Sequence, residues 1–179
     1  GVQTCALPIC RYWQKKPLLI RQAIPGFLGF LDLKALTSLA IRNDVESRLV
    51  WRTRKQWQLK HGPLLRRDLT LLGKNDWTLL VQGINLHTSD GDKLLHHFDF
   101  APFARLDDLM VSYAAPGGGV GPHTDNYDVF LLQGFGKRRW RIAPGRGGDD
   151  AENLLRGAPI RVLKNLRAQQ EWVLDRKST

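Results

Sequence analysis

His123 and Asp125 have residue types and a spacing suited to holding a metal ion. In Val120-Gly121-Pro122-His123-Thr124-Asp125 a single residue separates them, so on extended backbone both side chains project to one face. An imidazole nitrogen and a carboxylate oxygen can then converge on one cation. Two histidines and one carboxylate form the facial set that holds Fe(II) while leaving positions open for other ligands. A lone His-X-Asp tripeptide is common loop chemistry and does not carry that reading. Its surroundings do: Ala115-Pro116-Gly117-Gly118-Gly119 precedes the motif and permits close backbone approach, and Asn126-Tyr127-Asp128-Val129-Phe130 leads out of it.

The elements around the motif are short. The pattern predicts a strand entering at Leu18-Leu19-Ile20 and a helix over Leu31 to Leu39 with Asp32 near its N-terminus. Strands are predicted at Asp44 to Trp51 and Trp57 to His61, separated by a basic turn, and at Trp77 to Gln82. Leu86 to Phe98 reads as a helix weakened by Gly91. Asp108 to Tyr113 and Asp128 to Gln133 read as strands. The second is expected to form a hairpin with Lys137 to Ile142, across the turn at Gly134-Phe135-Gly136. Gly145 to Gly148 is expected to be a loop, and Glu171 to Leu174 the start of a further strand. Short strands joined by glycine-rich turns predict a sandwich or barrel.

The chain has 179 residues, 42% of them hydrophobic and 25% charged, with a net charge of +10. That is enough for one domain with its own core. The basic excess favours acidic partners such as nucleic acid or a ribonucleoprotein, with dense spots at Arg52-Thr53-Arg54-Lys55 and Lys137-Arg138-Arg139. No apolar run approaches membrane-spanning length, and the start lacks a signal-peptide pattern, so a cytoplasmic location is expected.

Both ends read as processing scars. Gly1 to Ile9, GVQTCALPI, and Asp175 to Thr179, DRKST, are what the two strands of a short-read sequencing adapter encode. The expected organisation is then residues 1–9 as artefact, 10–107 as the mixed α/β N-terminal part, 108–174 as the first part of a β core, and 175–179 as artefact. Cys5 falls in the first scar and Cys10 at its edge, so no disulfide framework or thiolate metal site is expected.

Asp108 to Ile142, DLMVSYAAPGGGVGPHTDNYDVFLLQGFGKRRWRI, resembles the bacterial ribosomal oxygenases of the JmjC family, with support from RYWQKKPLLIR, DVESRLV and KHGPL. These are arginine hydroxylases acting on a large-subunit ribosomal protein. The resemblance implies a mainly β fold with N-terminal helices, the partial double-stranded β-helix of the JmjC/cupin jelly roll. It implies Fe(II) on His123 and Asp125, with 2-oxoglutarate and O₂ as cosubstrates. It also implies that Arg138 binds the distal carboxylate of 2-oxoglutarate, which suits a planar guanidinium. On its strand Arg138 shares a face with Trp140, which is expected to face the core. Ser112, Tyr113, Tyr127 and Gln133 are secondary candidates for lining the pocket, Ser112 towards the cosubstrate. Asp128 is a candidate for positioning a cationic substrate. His61, His87, His96 and His97 fit ordinary structural or surface roles.

The family pattern needs a second histidine on a later strand, and residues 126–179 contain none. The chain is therefore expected to lack its C-terminal strands and third ligand, to bind Fe(II) weakly and to be inactive alone. A ribosomal protein substrate, proximity to RNA, no membrane and a homodimer for the intact protein complete the expectation. Two alternatives stay open: a JmjC hydroxylase with another substrate, and a non-catalytic cupin-like module binding RNA or ribosomes.

Overall fold

The computed structural model of the chain describes residues 11–143 and 153–175. The chain forms two compact units, one of Phe30–His123 with Asp149–Asn165, the other of Gly1–Gly29, Thr124–Gly148 and Leu166–Thr179. The scar-like residues 1–9 and 176–179, Cys10 and the loop at 145–148 lie outside the described residues, whereas Asp175, the first residue of the second scar, is described.

The first unit opens with helix α1, Leu33–Ala40. Asp32 caps it as the sequence predicts, its carboxylate accepting from the Ala35 N–H at 2.7 Å. Leu36, Leu39 and Ala40 form its buried side. Strands β1 (Ser47–Thr53) and β2 (Gln56–His61) follow as a hairpin, then helix α2 (Arg66–Thr70) and strand β3 (Trp77–Val81). All five residues of β3 are buried, in accord with its apolar sequence. With β4 (Val111–Ala114) these strands form an antiparallel sheet of order β2-β1-β3-β4.

One face of this sheet carries Leu49, Leu79, Val81 and Trp77, packed with Leu36, Leu39, Leu64 and Ile84 into the main core. Each such buried aliphatic side chain contributes roughly 1.5–3 kcal/mol.

Two expectations in this unit need correction. The single helix over Leu86 to Phe98 is instead α3 (Ile84–His87), α4 (Ser89–Leu95) and a 3₁₀ turn at His96–Phe98. Thr88 interrupts it with extended backbone, and its hydroxyl accepts from the Gly91 N–H to cap α4. Gly91 is required there, because a Cβ would lie 2.8 Å from the Ile84 carbonyl oxygen. The strand expected from Asp108 begins only at Val111. Asp108 accepts from the Gly83 N–H, and the Leu109 N–H donates to Asn85, so both residues are committed to the start of α3.

The second unit contains β5 (Lys137–Ile142) and β6 (Gln170–Asp175), an antiparallel pair in which Arg138 faces Leu174 and Trp140 faces Trp172. The strand expected at Glu171 is therefore present. The expected hairpin between Asp128–Gln133 and β5 is not. Residues 128–133 join no strand, Val129, Phe130 and Leu131 are nearly half exposed, and Gln133 turns its amide onto the Phe135 carbonyl at 2.5 Å. β-branched and aromatic content favours a strand only where a partner edge is supplied, and β5 pairs with β6 instead. The Leu18–Ile20 strand is likewise absent; Leu18 and Ile20 are exposed on irregular backbone.

Candidate active site

The segment that carries His123 is tied to the four-stranded sheet along its length. The Ala115 N–H donates to the Trp77 carbonyl at 3.0 Å, and the Asp76 N–H donates to Pro116 at 2.9 Å. Further on, the Leu163 N–H donates to the Pro122 carbonyl at 2.7 Å. Between these ties, the glycines are needed for space. A Cβ on Gly118 would run into the Trp77 carbonyl, and Gly121, at φ +78°, would put one 2.9 Å from both the Trp57 ring and Val162. The glycine-rich approach read from the sequence is thus a close backbone passage over the sheet.

His123 is exposed, and its Nδ1 lies 2.9 Å from the Gly121 carbonyl oxygen. A carbonyl only accepts, so Nδ1 carries the proton in this contact, and in the neutral ring the lone pair is then on Nε2. A histidine that binds a metal through Nε2 carries its proton on Nδ1, commonly in an outer contact of this kind.

Ser112 and Tyr113 fall on opposite faces of the sheet. The register places Ser112 in a row with Leu80, Arg48 and His61, and places Tyr113 in a row with Leu79, Leu49 and Lys60 on the core face. Tyr113 stacks on Trp77, with centroids 5.5 Å apart. Trp57, against which Gly121 packs, is on the Ser112 face. So is Thr78, which is 2% exposed and whose hydroxyl has no partner among the described residues. The Nε of Arg48 is buried on that face in the same state, while its Nη2 donates to Gln82 at 2.7 Å. These polar groups are not evident from sequence, although a threonine inside the otherwise apolar Trp77–Val81 run was a signal.

The second unit holds Asp125, Tyr127, Asp128, Gln133 and Arg138. Asp125 and Tyr127 are exposed. Asp128 accepts from the Gln14 side-chain amide at 3.2 Å, and Trp13 lies 5.7 Å from Phe130, contacts that sequence reading did not foresee. Arg138 is half-buried, on the strand face it shares with Trp140 and Ile142, as expected. Its guanidinium carbon is 5.9 Å from the Trp140 ring centroid, and burial lowers its pKa from the usual arginine value. It stays cationic, and a partly desolvated guanidinium gains from a carboxylate that it can grip with two hydrogen bonds.

No group of three histidine, cysteine or acidic side chains assembles among the described residues, and none of their helices is long and apolar enough to cross a membrane. His123 offers an imidazole nitrogen and Asp125 a carboxylate oxygen, donor types suited to a divalent iron-like metal.

Residues 93–176 match the family model described as the JmjC domain. The chain is 43% identical over 132 residues to the ribosomal protein uL16 3-hydroxylase of Escherichia coli, covering 74% of this chain and 35% of that protein. It is 38% identical over 165 residues to a probable ribosomal oxygenase of Haemophilus influenzae, covering 92% of this chain and 39% of the relative. The structure of YcfD, a ribosomal oxygenase from E. coli, in complex with cobalt and 2-oxoglutarate matches with a TM-score of 0.81 at 35% identity. That match covers 96% of this chain and 44% of the other. The chain spans little more than a third of the length of these curated relatives. With the antiparallel sheets and the glycine-cradled His123 segment, these matches show a JmjC domain over residues 93–176.

Proposed function

We propose that this chain is part of an Fe(II)- and 2-oxoglutarate-dependent protein hydroxylase acting on an arginine side chain of a large-subunit ribosomal protein. The observation that carries the proposal is His123, held by the Gly121 carbonyl with its proton on Nδ1, two residues before Asp125. In this reading residues 108–174 are the first part of the β core.

His123 and Asp125 would hold Fe(II), leaving positions open for cosubstrate and O₂. When bound, the metal supplies the oxidative chemistry by which 2-oxoglutarate and O₂ become succinate and CO₂ and one oxygen atom enters a C–H bond. The chain's own residues orient and select. Arg138 would grip the distal carboxylate of 2-oxoglutarate, and Ser112 would add a hydroxyl on the face that Gly121 crosses. Tyr127 and Asp128 would meet the substrate, Asp128 offsetting the basic surface that disfavours a cationic side chain. Tyr113, stacked on Trp77, would contribute indirectly. A ribosomal substrate implies a cytoplasmic protein close to RNA, and the intact protein would be a homodimer.

The test uses the longer protein carrying this segment, with Fe(II), 2-oxoglutarate and candidate ribosomal proteins. Substrate-dependent succinate formation, with one oxygen atom added to an arginine, is expected. Oxygen added at another residue type would overturn the arginine assignment, and no turnover with any ribosomal protein would overturn the proposal.

A further inference from the structure

The β1–β2 hairpin closes through a two-residue turn at Arg54 and Lys55, bracketed by the Thr53–Gln56 pair. Both turn residues are left-handed, with φ of 50° and 69°. This is the two-residue hairpin turn that asparagine followed by glycine fits best, because it needs φ > 0 at both central positions. Long cationic side chains there strain the backbone and give the turn nothing in return. Their charges go elsewhere.

Both side chains are exposed, and neither has an acidic partner among the described residues. Arg52, just before the turn, lies over the Trp57 ring at 5.3 Å and 3.5 Å from Asp76. The Arg52 N–H donates to the Asp76 carbonyl, which brings the loop carrying exposed Lys74 beside the hairpin. Residues 47–76 hold eight basic residues against two acidic ones, more than half of the chain's net charge of +10. No exposed large apolar side chain occurs at 51–57 or 73–77.

We infer that this hairpin tip is a docking surface for the phosphodiester backbone of RNA, gripped by Arg54 and Lys55 with Arg52 and Lys74 behind them. A protein partner would call for an aromatic or aliphatic anchor that the tip lacks. A phosphate backbone needs only positioned cations. Ribosomal RNA as the physiological source rests on the proposed function; the surface itself does not.

The test is fluorescence anisotropy of a labelled RNA stem-loop with the 179-residue chain across a salt series, without metal or 2-oxoglutarate. The variant R54N/K55G removes both charges and installs the residues this turn prefers, so its fold is kept or strengthened. Its thermal midpoint is expected to be at or above that of the parent. RNA affinity is expected to fall about tenfold at moderate salt, with a log–log salt slope shallower by about 1.4–1.8. Unchanged affinity and slope in the variant would overturn the inference. So would polyglutamate of matched length competing as well as unlabelled RNA. Because the assay is independent of turnover, it can fail while the oxygenase reading stands, and the reverse.

Discussion

The imidazole Nδ1 of His123 lies 2.9 Å from the carbonyl oxygen of Gly121, on backbone that crosses the Trp57 ring too closely for any side chain at position 121. The glycine therefore does two things. It lets the chain pass, and it places the carbonyl that sets the histidine tautomer.

Gly121→Ala tests that coupling. A methyl group 2.9 Å from Trp57 and Val162, at φ +78°, is expected to destabilise the first unit by about 1–3 kcal/mol. Urea denaturation measures the loss. Parental stability in the variant would mean that the passage is looser than described.

Thr78→Val removes a buried hydroxyl without a partner among the described residues. Replacing an unsatisfied polar group by an apolar one of similar shape should leave stability unchanged or raise it by up to ~1 kcal/mol. Denaturation at neutral pH checks this. A clear loss of stability would show that the hydroxyl is satisfied in solution.

Much of this arrangement was legible beforehand, and the exceptions share a cause. Asp32 before a leucine repeat, the apolar Trp77–Val81 run and the His-X-Asp motif are local signals, and local hydrogen bonds or burial confirm the two structural elements. The Asp128–Gln133 segment has strand composition but no strand partner, and which edge pairs with β5 depends on Gln170–Asp175, far away in sequence. Thr88 was hidden for the opposite reason: one hydroxyl, capping Gly91, outweighs an otherwise helical pattern. The site divides the same way. Ser112 and Tyr113 are neighbours in sequence, and only the register through Leu80 and Leu79 assigns them to opposite faces.

Asp68 provides a pH test of the fold beside the β2 edge. The Lys60 side chain at 2.6 Å, then the Leu65 N–H at 2.8 Å, hold its carboxyl below the usual aspartate value. A depressed folded pKa gives stability that is present above the unfolded value of about 3.9 and lost as pH falls through the folded value. Asp68→Asn should therefore be less stable than the parent at pH 7, with the gap closing under strongly acidic conditions. Denaturation curves at both pH values decide it; a gap that widens in acid contradicts the assignment.

Arg138 is expected to act through its charge and its fork geometry together. In the longer protein loaded with Co(II), Arg138→Ala should weaken 2-oxoglutarate binding by about 2–3 kcal/mol, and Arg138→Lys by less. Calorimetric titration gives both values. Equal affinity in the alanine variant would remove Arg138 from the cosubstrate site.

The most direct test of the metal assignment is a Co(II) absorption titration of the 179-residue chain beside His123→Ala and Asp125→Ala. Two ligands hold a divalent ion less tightly than three, so weak saturable binding is predicted for the parent, and none for either variant. Undiminished Co(II) binding in both variants would contradict the assignment of His123 and Asp125 as metal ligands.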